Sequence, residues 1–274
     1  MKFVGIVVWY NPNDEDIECT KKNCVFLEKM IVIDNSKVSN FHAVKNIENI
    51  QYHCFYENEG LGKALNTGVQ IAEKMGYKWL ITFDQDSVMK KGFINEYEYY
   101  IENHTNSLPF MLTPQYDIER KRNKKNKERF SKVNYSMQSG CAFNLEYLIK
   151  MGGFYEEYFI ECIDFEICFR ASKYKMDIIR CNKAILVHKP AIQHSIKIIS
   201  KEIHVGIASP LRYYYQCRNL CNLFMKYKKL ILLKYIIQKM AKVVLIFPQK
   251  REYLKMMYRG FSDGIKGTLE KYEG

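Results

Sequence analysis

Trp79-Leu80-Ile81-Thr82-Phe83-Asp84-Gln85-Asp86-Ser87 is five largely apolar, β-prone residues running straight into two carboxylates one residue apart. An unbroken apolar run this short predicts a strand buried on both faces, as in a parallel sheet covered by helices. Alternate side chains of an extended backbone share a face, so Asp84 and Asp86 stand together and Gln85 points away. Two carboxylates at a strand mouth suit a hard divalent cation, which takes one or two protein carboxylates plus phosphate oxygens and water. The plainer reading of an isolated Asp-x-Asp is a solvated turn that ends the strand. The neighbouring sequence decides between them.

Upstream, Phe3 to Tyr10 reads as a first buried strand stopped by Asn11-Pro12-Asn13, and Asp14 to Lys29 as a helix. Met30-Ile31-Val32-Ile33 is a second buried strand closed by Asp34-Asn35-Ser36, and Tyr52 to Tyr56 a third. Asn58-Glu59-Gly60-Leu61-Gly62 is a turn before a helix bearing Ala64, Leu65, Val69, Ile71, Ala72 and Met75, with Gly76 as its C-cap glycine. Such β/α alternation predicts a parallel sheet with right-handed crossovers and helices on both faces. Ligands of these sheets bind outside the carboxyl ends of the strands. Tyr10-Asn11, Asp34-Asn35-Ser36 and Asp84-Gln85-Asp86 therefore share one rim, a plausible nucleotide cleft. Gly60-Leu61-Gly62-Lys63 lacks the spacing of a phosphate loop. Lys63 at the helix start could still meet phosphate; a solvated lysine is the bland alternative.

A chain of 274 residues allows one large domain or one domain with an appendage, and 47% hydrophobic residues supply a core. Nine cysteines without a repeating spacing point to a reducing compartment. Cys217 and Cys221 have no second pair nearby for a zinc site. The first apolar run is too short for a signal peptide and no stretch is apolar for the ~18 residues a bilayer demands. These readings place the chain in the cytoplasm. A formal net charge of +12 attracts polyanions: nucleotide diphosphates, nucleic acid or an anionic membrane face.

Arg120 to Lys127 is a dense basic run without an apolar period and reads as an exposed loop. It lacks the aromatic interleaving of a single-strand nucleic-acid surface. Ser139-Gly140 opens a second half, with a helix ending near Gly152-Gly153. Glu161, Asp164 and Glu166 start another helix, where acids favour the macrodipole. Ala184-Ile185-Leu186-Val187 is a short strand ending in His188, which stands at the same kind of rim. From Arg212 onward the chain is helical; within Leu230 to Val244, Lys234, Gln238, Lys239 and Lys242 fall on one side of an otherwise apolar helix. That pattern fits either an interfacial helix at an anionic bilayer or a helix packed on the core with its lysines in water. We divide the chain into a catalytic-type domain over 1–210 and a helical extension over 211–274.

The ordered set Tyr10-Asn11-Pro12, Ile33-Asp34-Asn35-Ser36, Asn58-x-Gly60-x-Gly62-x-Ala64-x-Asn66-x-Gly68, Phe83-Asp84-Gln85-Asp86-Ser87, Ser139-Gly140, Gly152-Gly153-Phe154, Asp164 with Arg170, His188, and Tyr213-Tyr214 with Arg218-Asn219 resembles glycosyltransferase family 2. Within it the chain looks most like bacterial rhamnosyltransferases of surface polysaccharide synthesis. The resemblance covers residues 3 to 220. It implies an α/β GT-A fold with a mostly parallel, Rossmann-like sheet and a basic C-terminal helical appendage. It also implies a metal-dependent inverting transferase, moving L-rhamnose from dTDP-β-L-rhamnose to a glycan or lipid-linked glycan. By that likeness Tyr10, Asn11, Asp34, Asn35, Ser36, Asn58, Gly60, Lys63, Asn66, Asp84, Gln85 and Arg218 serve the dTDP- or UDP-sugar donor. Asp86 and His188 hold Mg²⁺ or Mn²⁺, Asp164 is the base, and Ser139, Gly140, Glu161 and Tyr214 face the acceptor. Two departures stand out: Glu161 replaces a shorter Asp, and Lys189-Pro190-Ala191 follows His188 where a glycine turn is common. The implied setting is the inner face of the cell membrane, with no nucleic acid and an oligomer compatible. The other readings are a sugar nucleotidyltransferase and a basic nucleic-acid- or membrane-binding protein.

Overall fold

The computed structural model describes residues 2–117, 128–188, 193–198, 201–247 and 249–273, with backbone alone at 193–198 and 201–205. The basic run Arg120–Lys127 and Lys189-Pro190-Ala191 lie outside the described residues. The chain opens with β1 (Phe3–Trp9), α1 (Asp14–Cys24), β2 (Lys29–Asp34), a 3₁₀ turn (Phe41–Ala43), β3 (Ile50–Cys54), α2 (Leu61–Lys74) and β4 (Trp79–Asp84). β1 lies between β2 and β4, and β2 pairs with β3, all in parallel. The residues of β1, β2 and β4 are almost all buried, as the apolar runs require for strands covered on both faces. α1 starts on a capping box, in which Asn13 and Asp16 exchange side-chain to backbone hydrogen bonds. It stops at Cys24 rather than running on to Lys29, because Lys29 already pairs with Val4 in the sheet.

Past β4 the sheet becomes mixed. The next elements are β5 (Ser87–Met89), α3 (Phe93–Asn103), β6 (Met111–Asp117), β7 (Phe130–Lys132), β8 (Ala142–Asn144), α4 (Leu145–Lys150), α5 (Ile163–Lys173) and β9 (Ile178–His188). The strand order is β3-β2-β1-β4-β8-β6-β9-β5, with β7 also on β9. β8 is antiparallel to both β4 and β6, β6 is parallel to β9, and β5 and β7 are antiparallel to β9.

α2 lies close against its surroundings because of its small residues. A Cβ at Gly62 would stand 2.6 Å from the Tyr155 carbonyl oxygen and 2.9 Å from Glu156 Cα, and one at Gly68 would strike Ile6. Asn66 finishes the seam: its Oδ1 accepts from Phe154 N at 2.7 Å and its Nδ2 donates to the Phe154 carbonyl at 2.9 Å.

The chain divides into two compact units, residues 1–156 with 163–189 and residues 157–162 with 190–274. Residues 190–210, assigned from sequence to the first domain, thus cluster with the C-terminal helices. The second unit holds the antiparallel hairpin β10 (Gln193–Ile198) and β11 (Lys201–Gly206), then α6 (Pro210–Tyr227), α7 (Leu230–Ile246) and α8 (Lys250–Lys266). Ser209 caps α6 and Pro210 takes its first turn, where no N–H is needed. Gly260 and Gly264 let α8 ride on the α6 backbone, since a Cβ at either would collide with the Tyr214 or Arg218 carbonyl. Tyr213, Cys217, Val243, Phe247, Tyr253 and Met257 form this unit's buried cluster. The lysine face expected on α7 is not all solvent-facing: Lys239 donates to Gln216 Oε1 at 2.6 Å and Lys242 to the Gly206 carbonyl at 2.5 Å. Among the described residues no helix is long and apolar enough to cross a membrane.

Gly62→Ala sets two effects against each other. The methyl group gains about 1 kcal/mol of helix propensity but meets backbone atoms that no rotamer change can move, an overpacking cost of about 1–3 kcal/mol. The variant is expected to melt below the wild type in a thermal-unfolding scan.

Candidate active site

The topology brings Asp84, Asp86 and His188 together. Asp84 ends β4, Asp86 follows two residues later, and Ser87 opens β5 directly opposite His188, the last residue of β9. One ligand atom from each of Asp84, Asp86 and His188 lies within 4.8 Å of the others. His188 Nδ1 stands 3.4 Å from Asp86 Oδ1. Hydrogen bonding to Asp86 draws the His188 pKa above its ordinary value; burial opposes this, and the charges of Asp86 and Asp84 add to it. Two hard carboxylates and one imidazole, all half-buried, fit a divalent cation, and the imidazole leans the set toward Mn²⁺ over Mg²⁺.

A loop between β7 and β8 fixes this cluster. Gln138 Nε2 donates to Asp84 Oδ1 at 2.6 Å, and Ser139 Oγ accepts from Asp84 N at 2.9 Å. Ser139 Oγ donates on to Ser87 Oγ at 2.9 Å, and Ser87 Oγ lies 3.0 Å from His188 Nδ1. The same loop reaches α5, where Tyr135 OH donates to Asp164 Oδ2 at 2.5 Å while Phe165 N donates to Oδ1 at 2.9 Å. Tyr135 is itself held by stacking on Phe165, with ring centroids 4.4 Å apart. The two donors fix the orientation of the Asp164 carboxylate. Sequence reasoning missed Tyr135 and Gln138, because nothing in their spacing distinguishes them from other polar loop residues; Ser87 stood in the quoted motif without a role.

Other expected site residues act as buried braces. Asp34 is fully buried and accepts from Ser36 N, Asn40 N, Asn40 Nδ2 and Tyr52 OH. A carboxylate offers about four acceptor sites, and these four donors brace the loop after β2. Asn35 and Asn58 bond each other, Asn58 Oδ1 also accepts from Gly60 N, and Asn35 Oδ1 accepts from Glu59 N. Ser36 accepts from Asn11 N, which lets Asn11 hold its positive φ of 46°. Gly60 has a φ of 89° at the start of α2, Lys63 pairs with Glu59, and Asn66 holds the Phe154 segment. The polar run from Asn58 to Gly68 docks the start of α2 on its surroundings.

On the acceptor side, Ser139 is buried between Asp84 and Ser87, and Gly140, with φ 76°, fills a space bounded by Leu186 and Pro114. Both are buried. Gln85 bridges Tyr10 N and Asp16 Oδ2, while the Tyr10 ring remains half-exposed on the rim.

In the second unit, Arg218, Tyr214 and Glu161 have partners within the protein. Arg218 is fully buried, donating to Asn219 Oδ1 and to the carbonyls of Glu157 and Glu270. Tyr214 donates to Asp263, and Glu161 pairs with Arg212.

The model of "Glycosyl transferase family 2" matches residues 22–162. The chain belongs to that family. The matched segment holds Asp84 and Asp86 but ends before Asp164 and His188, which the fold alone brings alongside it. Over 290 aligned positions the glycosyltransferase is 27% identical to the dTDP-rhamnosyl transferase RfbF of Shigella flexneri, spanning 96% of this chain and 95% of that protein. Its fold resembles S. aureus TarS residues 1–349 in complex with UDP-GlcNAc, with TM-score 0.63, 16% identity, and coverage of 98% of this chain and 83% of that one. GalNAc-T7 with UDP, GalNAc and Mn²⁺ is similar at TM-score 0.59 and 13% identity, over 97% of this chain and 56% of that one. At such identities the likeness shows the GT-A fold.

Burial pushes the Asp34 pKa upward, but the hydrogen bonds from Ser36, Tyr52 and Asn40 outweigh it, so the carboxyl titrates below its ordinary value. A depressed carboxyl contributes stability above its unfolded pKa and loses it as pH falls through the folded one. Asp34→Asn should therefore cost about 2–3 kcal/mol at neutral pH. Urea titrations should show that gap closing once the pH drops below about 4.

Proposed function

We propose that this glycosyltransferase moves L-rhamnose from dTDP-β-L-rhamnose to a hydroxyl of a glycan or lipid-linked glycan, with inversion, at the inner face of a bacterial membrane during surface polysaccharide synthesis. The observation that carries the reading is the Asp84–Asp86–His188 cluster on the carboxyl rim of the sheet, in a chain that aligns with a rhamnosyl transferase along nearly its full length. Asp84, Asp86 and His188 would hold Mg²⁺ or Mn²⁺. A bound divalent cation offsets the charge that builds on a nucleoside diphosphate leaving group.

The chain's own residues do the rest. The exposed Tyr10 ring and Asn11 lie at the nucleotide end of the rim. Asp164 takes the proton of the acceptor hydroxyl as its oxygen attacks the anomeric carbon. Tyr135 and the Phe165 N–H orient the Asp164 carboxylate. Attack opposite the leaving group turns a β-linked donor into an α-linked product and releases dTDP. A sugar nucleotidyltransferase would release pyrophosphate instead.

Asp164→Asn should lower turnover by about 10²–10⁴-fold while donor affinity, read by thermal shift, stays within a few fold. Loss of donor binding would make Asp164 structural. A panel of TDP, UDP, GDP and their sugars, with and without Mn²⁺, tests the donor. Metal-dependent stabilisation by dTDP-rhamnose is expected, and Asp86→Ala should abolish its metal dependence. Turnover of a UDP-sugar with none of dTDP-rhamnose would overturn the donor assignment.

A further inference from the structure

We propose that the outward side of α8 docks on an anionic lipid bilayer. Tyr253, Met257, Gly260 and Gly264 form the buried side of this helix. Leu254, Tyr258 and Ile265, four and seven residues apart, form a second apolar stripe, with Tyr258 75% and Ile265 64% exposed. A helix resting on a protein core and otherwise bathed in water carries polar residues at such positions. Arg251, Lys255, Arg259 and Lys266 border the stripe on one side and are exposed; Arg259 also donates to Tyr272 OH. An apolar stripe with a tyrosine in it and cations along its edge is what a helix lying in a headgroup layer presents.

α7 repeats the feature. Leu230 and Leu245 are 75% and 76% exposed, and Ile237 and Val244 are exposed with them, while Lys239 and Lys242 reach partners inside the unit. Its outward side is thus more apolar than the helical wheel suggested. Charge chooses the occupant. α8 carries five cations against two acids, and one of those acids, Asp263, accepts from Tyr214. A second copy of the chain meeting this surface across a two-fold axis would set like charges against each other. An anionic bilayer complements both the stripe and its edge. With no helix among the described residues able to span, the unit would lie on the lipid rather than pass through it. The inference rests on the membrane setting of the proposed function, and its test reads lipid binding and not activity, so it can fail while sugar transfer stands.

The full chain is sedimented with vesicles of phosphatidylcholine alone and of phosphatidylcholine mixed with phosphatidylglycerol. Binding to the mixed vesicles only, weakened by salt, is expected. Arg251→Gln and Lys255→Gln should each weaken it about fivefold. Tyr258→Ser with Ile265→Ser should abolish it, while the exposed positions leave the melting temperature unchanged. Equal binding to both vesicle types, or none to either, would overturn the proposal. So would a dimer in analytical ultracentrifugation that the serine variant dissociates.

Discussion

The site rests on a three-residue strand. β5 runs only from Ser87 to Met89, too short to hold itself by propensity. It is gripped from one side by β9 and from the other by a single side chain of α1. The buried Asn23 donates from Nδ2 to the Ser87 carbonyl at 2.7 Å and accepts from Met89 N at 2.9 Å. That grip fixes Ser87 opposite His188, and the register in turn places the His188 ring beside Asp86. A one-residue slip would turn His188 to the other face of the sheet and dissolve the cluster. Each bond is modest, but a buried polar group left without a partner costs about 1–3 kcal/mol, so the arrangement has one low-energy register.

Around that strand, one loop couples the two chemical ends of the site. Between Tyr135 and Ser139 it touches Asp164, Asp84 and Ser87. Its own anchorage is buried: the Gln138 carbonyl accepts from Thr82 Oγ1 at 2.5 Å and Gly140 N donates to the Thr82 carbonyl at 2.6 Å. Distortion of this loop would displace the Asp84 and Asp164 carboxylates together. Most polar residues on the neighbouring strand ends hold the rim in shape, while the Tyr10 ring stays exposed.

The second unit shows the same economy of roles. Glu161 and Cys162 both have positive φ, at 68° and 64°, a conformation costing roughly 1–3 kcal/mol in a residue other than glycine. Asn219 Nδ2 donates to the carbonyls of Ile160 and Glu161 at 2.8 and 2.9 Å, and Arg218 to that of Glu157 at 3.1 Å. The buried Arg218-Asn219 pair thereby holds the strained 157–162 segment.

The sequence by itself determined the parallel half of the sheet, since unbroken apolar runs in β1, β2 and β4 admit burial on both faces and little else. It also determined that Asp84 and Asp86 share a side, because extended backbone has a period of two, and it carried the family in an ordered set of motifs. Tertiary structure alone decided which motif residues are free for chemistry. Asp34, Asn58, Asn66 and Arg218 read as ligand residues because a polar side chain in a motif looks alike in sequence whether it faces a substrate or a backbone group of its own chain. The pairing of His188 with Asp86 and of Tyr135 with Asp164 joins residues far apart in the chain. Such pairings follow from strand order and loop closure, which no local pattern of residues encodes.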